Sequence, residues 1–220
     1  MHKLTQEIQN TLKVAANDDE AKSMRRSMRE QFDFLGIKAP KRRELLRETF
    51  KANPPEKAEE IEIVIKELWQ LPYREMQYAA SDYLFLYRSM LGARHINLIK
   101  ELVITRSWWD TVDTLATRSI GDLALRYKQV RTSMDKWIRN PNLWIRRSAL
   151  LYQLRYREYT DWDKLQAYCL QCAHEEDFYI RKAIGWALRE YGKINPIEVK
   201  RFALTNDFST LTTREALKNI

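Results

Sequence analysis

Apolar positions in the N-terminal part of the chain recur at helical spacing. Leu4, Ile8 and Leu12 fall on one stripe at i, i+4 and i+8, which predicts a first helix. Asn17-Asp18-Asp19-Glu20 interrupts it with residues that cap a new helix start, so a second helix is expected to run toward Arg29. Phe32-Asp33-Phe34-Leu35-Gly36-Ile37 reads as an apolar connector with a glycine stop. Pro40 then opens a third helix carrying Leu45 and Leu46, and Pro54-Pro55 closes that unit.

Further along, the pattern becomes periodic. Trp109, Trp144 and Tyr179 recur at intervals of 35 residues, and one step back falls on Arg74, next to Tyr73. Each site is expected to open a helix. Ser107, Asn142 and Asp177 stand just before three of them as N-cap residues, and Ser107 with Asp110 has the capping-box spacing. Between these starts lie second helices, such as Ile96 to Ile104 and Leu165 to Leu170. Each repeat is thus a helix pair of HEAT or tetratricopeptide length. A pair cannot bury its own apolar face, so neighbours must stack, which curves the array and makes a long concave surface. The expected architecture is all-α, a HEAT-like helical repeat superhelix (an αα-solenoid) in a single domain over 1–220. Residues 1–53 form N-terminal helices and 54–220 repeating helix pairs.

Composition agrees with this pattern. The 220 residues are 45% hydrophobic, enough for a sizeable core, and five Gly and six Pro are too few for the many tight turns of a sandwich or barrel. The 38 Lys and Arg exceed the 30 Asp and Glu, giving a net charge of +8, which suits a polyanionic partner and also many ordinary proteins. No apolar run approaches the roughly 20 residues of a membrane span, and His2-Lys3-Leu4-Thr5-Gln6-Glu7 lacks a secretory apolar core. Together with two cysteines, these features lead to the expectation of a cytoplasmic protein with no membrane partner. A solenoid with capped ends suits a monomer.

The candidate chemistry lies on the repeated helices. Trp144 and Arg147 share a face, with Arg146 beside them, and Tyr179, Lys182 and Trp186 align at i, i+3 and i+7, with Arg181 adjacent. Cations at helix N-termini, where backbone N–H groups and the dipole already favour an anion, suit phosphate groups. The alternative is a solvated charged edge. A second basic cluster, Arg25, Arg26, Arg29, Lys38, Lys41, Arg42 and Arg43, would contact another stretch of phosphates or would solubilise the N-terminal helices. Ser107-Trp108-Trp109-Asp110-Thr111-Val112-Asp113 is the sharpest feature. Trp109 and Asp113, four apart, project an aromatic face and a carboxylate side by side. One of Trp108 and Trp109 is expected in the core and the other in the groove, because adjacent helical residues diverge by about 100°. Asp110 is explained by its place in the first turn. Asp113 is not, unless it is an ordinary exposed aspartate. Cys169-Leu170-Gln171-Cys172 with His174 lacks a second ligand cluster, His2 and His95 lack triad partners, and no glycine-rich phosphate loop occurs, so neither metal nor cofactor is expected.

As an ordered set, several segments resemble the AlkD-type DNA alkylation repair glycosylases. These are Phe34-Leu35-Gly36-Ile37-Lys38-Ala39-Pro40 with Arg42-Arg43; Glu67-Leu68-Trp69; Ser107-Trp108-Trp109-Asp110 with Asp113; Trp144 with Arg147; Ala183-Ile184-Gly185-Trp186-Ala187-Leu188-Arg189-Glu190-Tyr191; and Arg214-Glu215-Ala216-Leu217. The resemblance spans nearly the whole chain. It implies a HEAT-like superhelix that cradles duplex DNA and removes cationic N-alkylated purines, such as 3-methyladenine and 7-methylguanine, without flipping the base into a pocket. It further implies that Trp109, Asp113 and Trp186 form the catalytic cleft and that Arg147 contacts a phosphate. Ser27 stands where the family pattern has an aromatic DNA contact, and Lys38 where it has Gln. A non-catalytic binder of damaged or unusual DNA is the second reading; a protein-binding HEAT scaffold is the third.

Overall fold

The computed structural model describes residues 1–219, and these residues are helical, with no strand among them. Two compact units divide the chain, Met1–Leu91 and Gly92–Ile220.

The first unit holds α1 (Lys3–Val14), α2 (Asp18–Ser27), α3 (Ala39–Ala52), α4 (Ala58–Gln70) and α5 (Arg74–Leu86). Leu4, Ile8 and Leu12 are buried, as their spacing predicts, and α1 packs on α3, α4 and α5. Glu67 on α4 fixes the chain start, accepting from the His2 backbone N–H at 2.7 Å and the Thr5 hydroxyl at 2.6 Å. Asn17 caps α2 by accepting from the Glu20 N–H at 3.0 Å. That helix ends at Ser27, short of the expected Arg29. Arg29 and Glu30 turn left-handed, with φ of 55° and 57°, and the Glu30 N–H returns to the Arg25 carbonyl, closing the helix end.

The apolar connector is held by a carboxylate. Glu75 on α5 is fully buried and accepts the N–H groups of Leu35, Gly36 and Ile37 at 3.0, 2.9 and 3.0 Å. Three backbone donors satisfy a charge that burial would otherwise penalise heavily. Gly36 has a φ of 84°, and a Cβ there would lie 2.0 Å from the Asn17 carbonyl oxygen, so the turn needs glycine on both counts.

The second unit holds α6 (Ile96–Ile104), α7 (Trp109–Thr114), a π-helical segment (Leu115–Ile120), α8 (Gly121–Arg126), α9 (Lys128–Trp137), α10 (Leu143–Leu151), α11 (Trp162–Gln171), α12 (Phe178–Gly192), α13 (Pro196–Thr205) and α14 (Thr210–Ala216). Asn142 and Asp177 cap α10 and α12 through their side chains. Ser107 does not cap α7. Its hydroxyl donates instead to the Val103 carbonyl at 2.6 Å, one of the open carbonyls in the last turn of α6, and Trp108 takes the N-cap position. The expected capping box therefore does not form. α10 packs against α6, α7, α9 and α12, and α12 packs against α13 and α14, so consecutive helices stack on one another in the HEAT-like manner that the 35-residue interval predicts.

Candidate functional site

Counted from the N-cap residues Trp108, Asn142 and Asp177, the fifth helical residues are Asp113, Arg147 and Lys182. Stacking of α7, α10 and α12 brings the first two of these face to face. Arg147 Nε donates to Asp113 Oδ1 at 2.7 Å and Nη2 to Oδ2 at 2.8 Å, a fork-to-fork pair. Arg147 Nη1 donates to the Tyr179 carbonyl, which ties the pair to α12. The two side chains are 6% and 14% exposed, so this is a buried pair rather than a surface one.

Burial pushes the Asp113 carboxyl above its ordinary range, while the Arg147 hydrogen bonds and charge act to lower it. Both oxygens accept from a guanidinium, which stays protonated in proteins, so the fork geometry calls for the carboxylate form. The backbone beneath Asp113 is unusual as well. The π-helical segment begins two residues later, and the Thr117 hydroxyl donates to the Asp113 carbonyl at 2.8 Å. Such π-segments recur at functional positions in helices.

The two tryptophans separate at the start of α7, where Trp108 is the extended N-cap residue and Trp109 the first helical one, so the expected helical divergence is not what parts them. Trp108 packs with Trp144 and Tyr179, with ring centroids 5.9 and 5.3 Å away, and the latter two rings lie 5.1 Å apart. Trp109 is 39% exposed. The ring that joins the repeated aromatic cluster is therefore Trp108, one residue before the 35-residue register, and this frees Trp109 to present its face outward one turn before Asp113.

The other predicted residues occupy diverse settings. Trp186 is half-buried two turns along α12 from Tyr179, about 10 Å up the helix axis. Phosphate contact was the expectation for Arg147, Arg146 and Arg42, but the structure turns these guanidiniums inward. Arg146 binds Glu175 at 2.8 and 2.6 Å and the carbonyls of Asn140 and Pro141 at 2.7 and 2.8 Å. Arg42 is buried, binds Asp82 at 3.0 Å and lies over the Tyr78 ring. Each cation pairs with a largely or partly buried carboxylate, a partner that helical spacing alone does not reveal. Arg181 donates to the Glu175 carbonyl, and Lys182 pairs with Glu215 at 2.9 Å. The Lys182 hydrogen bond, with further help from Arg189, holds the Glu215 carboxyl below its ordinary value against the opposing effect of burial.

Arg26, Lys38, Lys41 and Arg43 are exposed; Lys38 pairs with Glu20, Lys41 with Glu44, and Arg43 with Asp82. Ser27 is exposed, its hydroxyl returned to the Met24 carbonyl. Cys169 and Cys172 are free and buried.

A family model described as DNA alkylation repair enzyme matches residues 8–220, nearly the entire chain. The chain belongs to this family. Membership carries a role in repairing alkylation damage, with DNA as the substrate. A solved structure described as a predicted DNA alkylation repair enzyme from Enterococcus faecalis is similar at a TM-score of 0.88 and 32% identity, covering 93% of this chain and 96% of that one. A comparison with curated proteins finds no match. Among the described residues no helix is long and apolar enough to cross a membrane.

Proposed function

We propose that this member is a monofunctional DNA glycosylase of base excision repair. It hydrolyses the N-glycosidic bond of cationic N-alkylated purines, 3-methyladenine and 7-methylguanine among them, in duplex DNA held along a basic concave face, without flipping the base into a pocket. It acts as a monomer without metal or cofactor, in the cytoplasm at the nucleoid.

Alkylation of a purine ring nitrogen gives the base a positive charge, so it departs as a neutral leaving group and needs little general-acid help. The charge to be stabilised is the one that develops on the deoxyribose. The carboxylate of Asp113, oriented by Arg147, has lone pairs beyond the two that Arg147 engages, and these suit an oxocarbenium ion or an attacking water. The exposed Trp109 offers its ring face to the cationic base or sugar, worth about 0.5–2 kcal/mol. Trp186 continues the same role along α12. Arg147 orients the carboxylate, and phosphate contacts fall to the more exposed cations Lys182, Arg181, Lys38, Lys41, Arg43 and Arg26.

The observation that carries the reading is the buried Asp113–Arg147 fork beside an outward-facing Trp109. The test is release of 7-methylguanine or 3-methyladenine from methylated duplex DNA by the protein and by Asp113→Asn. Release that is lost in the variant is expected. No release by the unmodified protein would overturn the enzymatic reading, and full activity in the variant would remove Asp113 from its role.

A further inference from the structure

The Gly92–Ile220 unit contains a concavity of about 760 Å³ between the end of α10, the segment 152–161, α11 and the second half of α12. Leu150, Leu165 and Ile194 contribute apolar wall, Trp186 lines it, and Arg155 and Arg157 contribute its cations. Both arginines are exposed, and among the described residues neither side chain has a hydrogen-bond or ion-pair partner. In this they differ from Arg146 and Arg147, which are bound to carboxylates. The one carboxylate lining the cavity, Glu190, is neutralised by Lys193 Nζ at 2.8 and 2.7 Å, so the balance of charge stays positive. Arg157 also adopts a left-handed backbone, with φ of 53°, a conformation costly for a residue with a long side chain.

The site is continuous with the one described above. Tyr179, Lys182, Trp186, Glu190 and Lys193 follow one another along one face of α12 and into the residue just beyond it, and Trp186 lies seven residues from both Tyr179 and Lys193. Seven residues span about 10 Å, or about three base steps of a DNA strand at 3.4 Å each.

We infer that this concavity is a phosphodiester subsite. Arg155 and Arg157 take a backbone phosphate of the bound strand, and the apolar wall takes the adjoining deoxyribose. Guanidiniums lacking protein acceptors match phosphate oxygens, and the leucine and isoleucine side chains match the apolar face of a sugar. This rests on the reading of the protein as a DNA glycosylase, and its test is separable from that reading because it requires no lesion.

The experiment measures affinity for an undamaged labelled duplex by fluorescence anisotropy over a range of salt concentrations, for the unmodified protein and for Arg155→Gln/Arg157→Asn. Asn tolerates the left-handed backbone, and Arg155→Gln alone serves as a second variant. The slope of log affinity against log salt is expected to fall by about 0.9 for the one phosphate lost. In parallel, inorganic phosphate is titrated at constant ionic strength and followed by tryptophan fluorescence. An unchanged slope in both variants overturns the inference, and saturable phosphate binding lost in the variant with an unchanged slope assigns the site to a free anion instead. Base release with an unchanged slope sinks this subsite alone, whereas a reduced slope without base release supports it and sinks the glycosylase.

Discussion

Replacing Arg147 by Met keeps much of the side-chain volume and removes the charge. The pair it breaks is buried, with side chains 6% and 14% exposed, so Asp113 is left as an uncompensated carboxylate beneath the surface. Breaking a buried pair from one side costs about 3–5 kcal/mol, against under about 1 kcal/mol for an exposed one. At this chain length each kcal/mol moves the thermal midpoint by about 2–4 °C, which places the loss at about 6–20 °C for the transition that unfolds the Gly92–Ile220 unit. With Arg147 gone, burial acts on Asp113 unopposed and carries its carboxyl further above the ordinary range. The double variant Asp113→Asn/Arg147→Met removes both charges and is expected to be more stable than the two single losses add up to. The assay is calorimetry or circular dichroism melting of all four proteins as a double-mutant cycle. A drop of under about 2 °C in Arg147→Met, or strictly additive losses, would refute the claim that this is a buried, coupled pair.

Trp108→Ala and Trp109→Ala are expected to behave oppositely. The first removes a ring from the Trp108, Trp144 and Tyr179 cluster and lowers stability by about 3 kcal/mol, while the second leaves stability within about 1 kcal/mol yet slows base release by about 2- to 30-fold. Melting and base-release rates on the two variants check this, and equal stability losses would show that the facing of the two rings is misread. Glu215, whose folded-state carboxyl is held below its ordinary 4.5, contributes stability that is present above that value and lost as the pH falls through the lower folded one. Glu215→Gln should therefore flatten the acid side of a melting-temperature profile taken from roughly pH 6 down to 3, leaving any remaining acid loss to other carboxylates.

Much of the scaffold is legible in the residues. The Leu4, Ile8 and Leu12 stripe, the caps at Asn17, Asn142 and Asp177, and the Ile96–Ile104 helix all follow from local periodicity and capping, because these interactions span four residues or fewer. The failures have local causes too. Ser107 had the right neighbours for a cap, yet its hydroxyl found an open carbonyl at Val103 first. α2 stopped two residues early because Arg29 and Glu30 adopted left-handed backbones that no glycine announces. The π-helical segment after Asp113 left no mark in Leu115-Ala116-Thr117-Arg118-Ser119-Ile120, which contains neither Pro nor Gly.

The site divides along the same line. Helical spacing alone determined that Trp109 and Asp113 emerge on one face of one helix, since that is a property of a single helix; Trp108 is the extended residue before that helix, so the divergence of adjacent helical residues does not govern the tryptophan pair. Only the tertiary structure decided which tryptophan turned in, because that depended on the rings of Trp144 and Tyr179, 36 and 71 residues away in the chain. It alone also decided the partners of the cations. Arg147 met Asp113, Arg146 met Glu175 and Arg42 met Asp82 across separations of 34, 29 and 40 residues. A charge in the sequence declares its sign. Its neighbours are chosen by stacking, and burial then favours an arginine that faces a carboxylate where the sequence left it free to face a phosphate or solvent.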